Sequence, residues 1–146
     1  MVVIQNPIND VSVNEQNLKD ALQQVMTDLG KGKSELLIRI VGKVEIQNLN
    51  KTYRDKDQPT NVLSFPSDLP IEIDEMILGD IVICTSIVAN EAKLQNKTFE
   101  HHLIHMAIHG TLHLLGYDHV EPMDAQKMES LEIKILEKMQ INNPYE

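Results

Sequence analysis

A run of histidines sets the first restriction on how this chain can fold, because all six of its histidines lie within residues 101–119. His109 and His113 are four residues apart, so on an α-helix they lie on the same face, about 6 Å apart along the axis. Gly116 can adopt the left-handed conformation that ends a helix, which lets His119 return toward that face. The spacing predicts a helix end that presents three imidazoles to one metal ion.

Two further histidines belong to the same four-residue ladder. His101 and His105 precede His109 at equal steps, so periodicity alone also allows His105 with His109 as the metal-binding pair. Each step turns the helix face by about 40°, so the whole ladder cannot converge on one ion. Only the last pair lies close enough to the helix end for His119 to join it. His102 has no partner four residues further on and is expected to be a packed core residue.

The type of donor predicts a catalytic metal site. Three histidines leave a fourth position open for water or substrate, whereas structural zinc sites are closed and richer in cysteine. The one cysteine, Cys84, lies far away in an apolar run. We therefore expect one Zn²⁺ per chain, although imidazole also suits nickel, copper and iron.

The residue after the first histidine of the pair indicates the reaction. In His-Glu-x-x-His proteases this residue is the general base, but here it is Gly110. Phosphodiester cleavage depends less on such a base, because a metal and a cation can stabilise the phosphoryl oxygens. Arg54 is the candidate cation, since its planar fork can hold two phosphate oxygens. A metalloprotease or amidase with the same histidines is the alternative hydrolase.

Charge is unevenly distributed along the chain. The net charge of −9 taken alone disfavours nucleic-acid binding, which needs basic side chains for phosphate contacts. Residues 31–56, however, hold seven basic and three acidic residues, a local net of +4, whereas residues 67–80 hold five acids and no base. This pattern predicts a phosphate-binding face that includes Lys51, Arg54 and Lys56, with ordinary solvated faces as the alternative.

The remaining patterns predict an α+β fold, a small mixed sheet of about four strands with helices packed on it. Strands are predicted at residues 2–5, 35–41, 60–65 and 76–84, and helices from a capping box of Ser12 and Glu15 to Gly30, at residues 44–53, 86–97 and 99–115 (capped by Thr98), and from Pro122 onward. Bracketing prolines favour an edge position for the third strand, and Gly79 indicates a close backbone approach in a central fourth strand. An acidic loop is predicted at residues 68–75.

Length and composition predict one metal-dependent hydrolase domain over residues 1–146. A chain of 146 residues can bury a core without disulfides, and a single cysteine suits a reducing cytoplasm. The sequence has neither a basic segment followed by an apolar run at its start nor an apolar stretch of 18 residues. We therefore expect no signal peptide and no membrane span.

Four sequence blocks follow one another in an order typical of a known family. They are Tyr53-Arg54, PTNVLSFP at residues 59–66, LGDIVI at residues 78–83 and HGTLHLLGYDH at residues 109–119. Together they resemble the YbeY family of bacterial metal-dependent endoribonucleases, and the similarity covers most of the chain from about Leu49 onward.

The resemblance implies a zinc-dependent endoribonuclease that cuts single-stranded RNA in the cytoplasm. It further implies maturation of the 3′ end of 16S ribosomal RNA, ribosome quality control and contact with the small ribosomal subunit. A ribosome-binding assembly factor with a structural metal is the alternative from a different class.

For the residues, the resemblance favours Arg54 as functional rather than merely exposed. Arg54 and His113 are the expected catalytic residues, and His109, His113 and His119 are the expected metal ligands. Asp118 either fixes an imidazole tautomer from behind the ligands or caps the turn after the helix.

Overall fold

The computed structural model describes residues 1–67 and 76–145, and these residues form four strands and five helices. The strands are β1 (Val2–Gln5), β2 (Glu35–Val41), β3 (Val62–Pro66) and β4 (Ile77–Cys84), and the helices are α1 (Glu15–Asp28), α2 (Lys43–Arg54), α3 (Thr85–Leu94), α4 (Phe99–Leu114) and α5 (Pro122–Lys138). The predicted α+β class is confirmed. The acidic loop predicted at residues 68–75 lies outside the described residues. Within the two described ranges, no helix combines the length and apolar character needed to cross a bilayer.

The strands form one mixed sheet in the order β1-β2-β4-β3. β1, β2 and β4 run parallel, and β3 runs antiparallel to β4. The two prolines that bracket β3 correctly predicted its edge position, since proline cannot donate to a neighbouring strand. β4 is central, as expected from its apolar sequence.

Side chains of β4 alternate between two cores, so helices cover both faces of the sheet. Ile81 and Ile83 pack into the larger core, to which α1, α4 and α5 contribute. Val82 and Cys84 point the other way and pack with Ile46 of α2. The sheet therefore lies between α2 on one face and α1, α4 and α5 on the other, and α4 is a central helix.

Two glycines allow close approaches between neighbouring elements. Gly79 has a φ of +145°, and a Cβ there would lie 2.5 Å from the carbonyl oxygen of Phe65 on β3. The close backbone approach predicted at Gly79 is confirmed. At Gly110 of α4, a Cβ would lie 3.1 Å from side-chain atoms of both Ser64 and Ile81. The absence of a side chain at Gly110 lets α4 rest directly on β3 and β4.

Both ends of α4 form as the sequence predicts. The hydroxyl oxygen of Thr98 accepts a hydrogen bond of 3.1 Å from the backbone N–H of His101. At the other end, Gly116 has a φ of +96°, and the N–H groups of Gly116 and Tyr117 donate to carbonyls in the last turn of the helix. This pattern is a Schellman motif, which reverses the chain sharply and brings His119 back toward α4.

The capping box predicted for α1 is wrong. The side chain of Asn14 caps the helix by accepting a hydrogen bond of 3.0 Å from the N–H of Asn17. Ser12 instead donates its hydroxyl to Asp10. Asparagine caps a helix at least as well as serine, so α1 begins at the later residue once Ser12 is engaged elsewhere.

Candidate metal centre

Three histidines meet at the C-terminal end of α4. One ring nitrogen from each of His109, His113 and His119 can be chosen so that the three atoms lie within 4.8 Å of one another. The ring centroid of His119 lies 5.4 Å from that of His109 and 4.9 Å from that of His113. The helix supplies the pair and the turn after Gly116 supplies the third donor.

A hydrogen bond behind His109 determines which of its nitrogens faces the site. Nδ1 of His109 lies 2.8 Å from Oε1 of Glu132, a fully buried residue of α5. Burial alone would raise the pKa of Glu132, but hydrogen bonds from His105, His109 and Tyr145 outweigh burial and lower this pKa to about 2. An ionised carboxylate can only accept hydrogen bonds, so Nδ1 of His109 carries the proton and Nε2 carries the lone pair.

His113 is held in the same tautomer by a different group. Its Nδ1 lies 3.0 Å from the carbonyl oxygen of Tyr117, which can only accept, so this nitrogen also carries the proton. Burial lowers the pKa of His113, and repulsion from His109 and His119 lowers it further, while the Tyr117 carbonyl and Asp118 offset part of the effect. His113 therefore favours the neutral imidazole, which is the form that binds metals.

The contact between the two helical histidines fits a cation. Nε2 of His109 lies 3.1 Å from Nε2 of His113. Both atoms carry lone pairs, so they cannot hydrogen-bond to each other, and a positive charge between them relieves their repulsion. Two nitrogens bound tetrahedrally to zinc at about 2.0–2.1 Å lie roughly 3.3 Å apart. The donor set therefore fits a divalent metal and leaves room for a fourth ligand.

The other buried histidines take no part in this group. Nε2 of His105 lies 2.7 Å from Glu132, so the alternative pair of His105 and His109 does not form. His102 is 3% exposed, and its Nε2 lies 2.9 Å from Glu91. It is the packed residue that the sequence predicts.

A cleft of about 470 Å³ lies in front of the three histidines, and Arg54 and Lys56 line it with them. Nη2 of Arg54 donates a hydrogen bond of 2.7 Å to the carbonyl oxygen of Ser64. Its guanidinium carbon lies 5.3 Å from the ring centroid of Phe65, within the range of a cation–π contact. Arg54 remains exposed, so its unused N–H groups can reach a ligand in the cleft.

Two other residues expected in the site lie outside the lining of this cleft. The ammonium of Lys51 is 3.9 Å from the carboxylate of Asp57. Asp118 accepts a hydrogen bond of 2.7 Å from the backbone N–H of His119, whereas its distance to Nδ1 of that ring is 3.8 Å. In this structure Asp118 therefore bonds to the turn and not to the imidazole.

Sequence reasoning missed Glu132 and Tyr145, which support the histidines from behind. A signal for Glu132 was present, because it interrupts the apolar stripe of α5 between Met128 and Ile135, and a charge on such a stripe is buried only with partners. Glu91 was missed as well. It joins His102 to Asn61, whose amide donates to it at 3.2 Å and which lines the cleft.

Comparison with known proteins shows similarity over nearly the whole chain. The family described as Endoribonuclease YbeY matches residues 3–140. A relative named Endoribonuclease YbeY from Vesicomyosocius okutanii subsp. Calyptogena okutanii (strain HA) is 66% identical over 145 residues, covering 99% of this chain and 100% of the relative. A relative of the same name from Ruthia magnifica subsp. Calyptogena magnifica is 64% identical with the same coverage.

A solved structure agrees with the fold. The solution structure of TM1509 from Thermotoga maritima aligns with a TM-score of 0.63 and 29% sequence identity. The alignment covers 100% of this chain and 96% of that one.

Proposed function

The chain belongs to the family of YbeY endoribonucleases, and we propose that it is a zinc-dependent enzyme that cuts phosphodiester bonds in single-stranded RNA. The observation that carries the proposal is the cleft in which three histidine donors face the same space as Arg54 and Lys56. Neutral imidazoles and exposed cations in one cleft suit a substrate whose reacting group is an anion.

His109, His113 and His119 would hold the metal. Zinc in such a set supplies Lewis acidity, which activates water near neutral pH and polarises a phosphoryl oxygen. The helix and its Schellman turn keep the three rings on one side of the cleft. We count His113 among the catalytic residues because a neutral imidazole at this central position is needed for the set to form.

Arg54 is the proposed phosphate-binding catalytic residue. Its guanidinium offers a planar fork to two phosphoryl oxygens, and its bond to Ser64 limits its freedom before substrate arrives. Lys56 would bind the RNA backbone within the same cleft. Lys51 is the weakest of the three proposed contacts, because it lies outside the cleft and pairs with Asp57.

Asp118 is proposed to act through His119. Its carboxylate holds the backbone N–H of His119, which keeps the exposed third ligand on the inner side of the turn. This role would orient a ligand from behind without contact with RNA.

The cellular part of the proposal rests on the family resemblance. It comprises maturation of the 3′ end of 16S ribosomal RNA, ribosome quality control, contact with the small ribosomal subunit and a bacterial cytoplasmic location. The single cysteine, Cys84, is buried and unpaired, which is compatible with a reducing compartment.

The test is to measure zinc stoichiometry and single-turnover cleavage of a single-stranded RNA in the wild type and in His113→Ala. His101→Ala is the matched control, because His101 is an exposed histidine of the same helix outside the donor group. We expect one zinc per chain and RNA cleavage in the wild type and the control, and neither in folded His113→Ala.

Two results would contradict the proposal. Cleavage that persists in His113→Ala after zinc is lost would show that the activity does not arise at this site. Ribosome binding by a highly purified wild type that cuts no RNA, retained in His113→Ala, would favour the assembly-factor alternative.

A further inference from the structure

Glu132 is a buried carboxylate that accepts three side-chain hydrogen bonds. It lies on α5 and is 0% exposed. Oε1 accepts from Nδ1 of His109 at 2.8 Å, and Oε2 accepts from Nε2 of His105 at 2.7 Å and from the hydroxyl of Tyr145 at 2.6 Å. The division between the two oxygens is unequal, with one donor on Oε1 and two on Oε2.

The protonation of His105 follows from its surroundings. Its Nδ1 is buried and has no hydrogen-bond partner among the described residues. A buried N–H without an acceptor is rarer and costlier than an unused lone pair, so Nδ1 of His105 carries the lone pair and Nε2 carries the proton. His105 is therefore a fixed donor to Oε2 of Glu132.

Tyr145 completes the arrangement from the segment that follows α5. Its hydroxyl proton points to Oε2, since an ionised carboxylate cannot donate. The preceding carbonyl, that of Pro144, accepts a hydrogen bond of 3.3 Å from Lys97, which helps to hold this segment against the body of the domain. Together, His105 and Tyr145 fix the carboxylate so that Oε1 faces His109.

We propose that Glu132 is a positioning residue of the metal centre, which holds His109 as the Nδ1–H tautomer so that its Nε2 lone pair faces the metal, and that His105 and Tyr145 orient the carboxylate. The inference rests on the proposed function, since it concerns the same three-histidine centre. It differs from a purely structural role in one respect, because it requires a particular tautomer of one ring.

The unequal division of donors makes Glu132→Gln a specific test. The amide oxygen must stay where two donors already point, beside His105 and Tyr145. The amide NH₂ group then replaces Oε1 and faces Nδ1 of His109. Because NH₂ only donates, His109 must move its proton to Nε2, the atom that would bind the metal. The substitution should therefore turn a ligand into a blocked donor without removing any ring.

The first measurement is the tautomer of His109 in zinc-free protein by nitrogen-15 NMR of the imidazoles. We expect Nδ1–H in the wild type and Nε2–H in Glu132→Gln. The second is the zinc dissociation constant by competition with a chromogenic chelator, which should rise about 10- to 100-fold in Glu132→Gln, the range for lost partners of metal-binding histidines. Glu137→Gln is the matched control, an exposed residue of the same helix, and should bind zinc like the wild type.

The outcomes separate this inference from the proposed function. Equal zinc affinity in Glu132→Gln and Glu137→Gln, or an Nε2–H tautomer in the zinc-free wild type, would overturn the inference alone. If Glu132→Gln does not fold, the wild-type tautomer still decides, together with Tyr145→Phe, which should weaken zinc binding less than Glu132→Gln is expected to. A wild type that binds no zinc would overturn the proposed function and this inference with it.

Discussion

Arg54 is tied to the histidine helix through Ser64. Nη2 of Arg54 donates to the carbonyl oxygen of Ser64 at 2.7 Å, and the hydroxyl of Ser64 donates to the carbonyl oxygen of Gly110 at 2.8 Å. Gly110 directly follows His109 in α4. Two hydrogen bonds therefore relate the guanidinium to the metal-binding rings, although 55 positions separate residues 54 and 109 in the sequence.

Replacing Arg54 should impair cleavage but not metal binding. Arg54→Ala is expected to lower the single-turnover rate roughly 100-fold or more, the usual cost of removing one donor to a transition-state oxyanion. Arg54→Lys should recover only part of the rate, because an ammonium lacks the fork. The measurement is RNA cleavage alongside zinc content, and wild-type cleavage by Arg54→Ala would exclude the assigned role.

Two neighbouring lysines should differ in their contribution to RNA binding. Lys56 lines the cleft, whereas Lys51 is outside it and pairs with Asp57. In a plot of log binding constant against log salt concentration, Lys56→Ala should reduce the slope by about 0.7, the value for one phosphate contact on a single strand. Lys51→Ala should change it less. Fluorescence anisotropy with a labelled RNA and zinc-free protein measures both slopes, and a larger change for Lys51→Ala would reverse the assignment.

Gly79→Ala should destabilise the fold. The φ of +145° and the 2.5 Å approach of the Phe65 carbonyl to an added Cβ both oppose any side chain. Backbone strain alone costs about 1–3 kcal/mol in such conformations, so the free energy of unfolding should fall by at least that amount. Gly42→Ala is the control, because nothing lies within 4 Å of a Cβ there. Urea denaturation compares the two, and equal stabilities would show that β3 can move away from β4.

His102 should make the protein less stable at acidic pH. Burial lowers its pKa, and the neighbouring His105 and Lys97 add to this effect, while Glu91 offsets only part of it. The unfolded chain, with a histidine pKa of about 6.5, then binds the proton more readily than the folded one. The stability that neutral His102 contributes is therefore present above about pH 6.5 and is lost as the pH falls through the lowered pKa.

The pH effect can be isolated by comparison with His102→Gln, which keeps a donor for Glu91 but cannot titrate. Urea denaturation of the zinc-free proteins should show the wild type losing more stability than the variant between about pH 7.5 and pH 5.5. Parallel pH profiles would mean that His102 keeps an ordinary pKa in the folded protein.

Local patterns were sufficient to predict the parts of the site that lie close together in the sequence. The pair His109 and His113 depends on the helical repeat, and the return of His119 depends on one glycine that can adopt a positive φ. The edge and central strands were predictable for the same reason, because proline and Gly79 restrict the backbone wherever they occur.

Contacts between distant segments could not be read from such patterns. Ser12 was a reasonable helix cap until Asp10 engaged it, and Asp10 also accepts a hydrogen bond from Thr85, which belongs to α3. The basic segment predicted cations near a cleft, but not that Lys56 would line it while Lys51 paired with Asp57. The direction of a long side chain depends on neighbours that only the folded chain supplies.

The contact at Gly110 also limits which enzymes this scaffold can become. A glutamate at that position is what a His-Glu-x-x-His peptidase requires, yet even a Cβ there would already lie 3.1 Å from Ser64 and Ile81. Gly110→Glu would push α4 off the sheet and break the link from Ser64 to the helix, which also holds Arg54. A single substitution therefore cannot convert this centre to peptide chemistry, and the barrier between the two activities is the distance between a helix and a sheet.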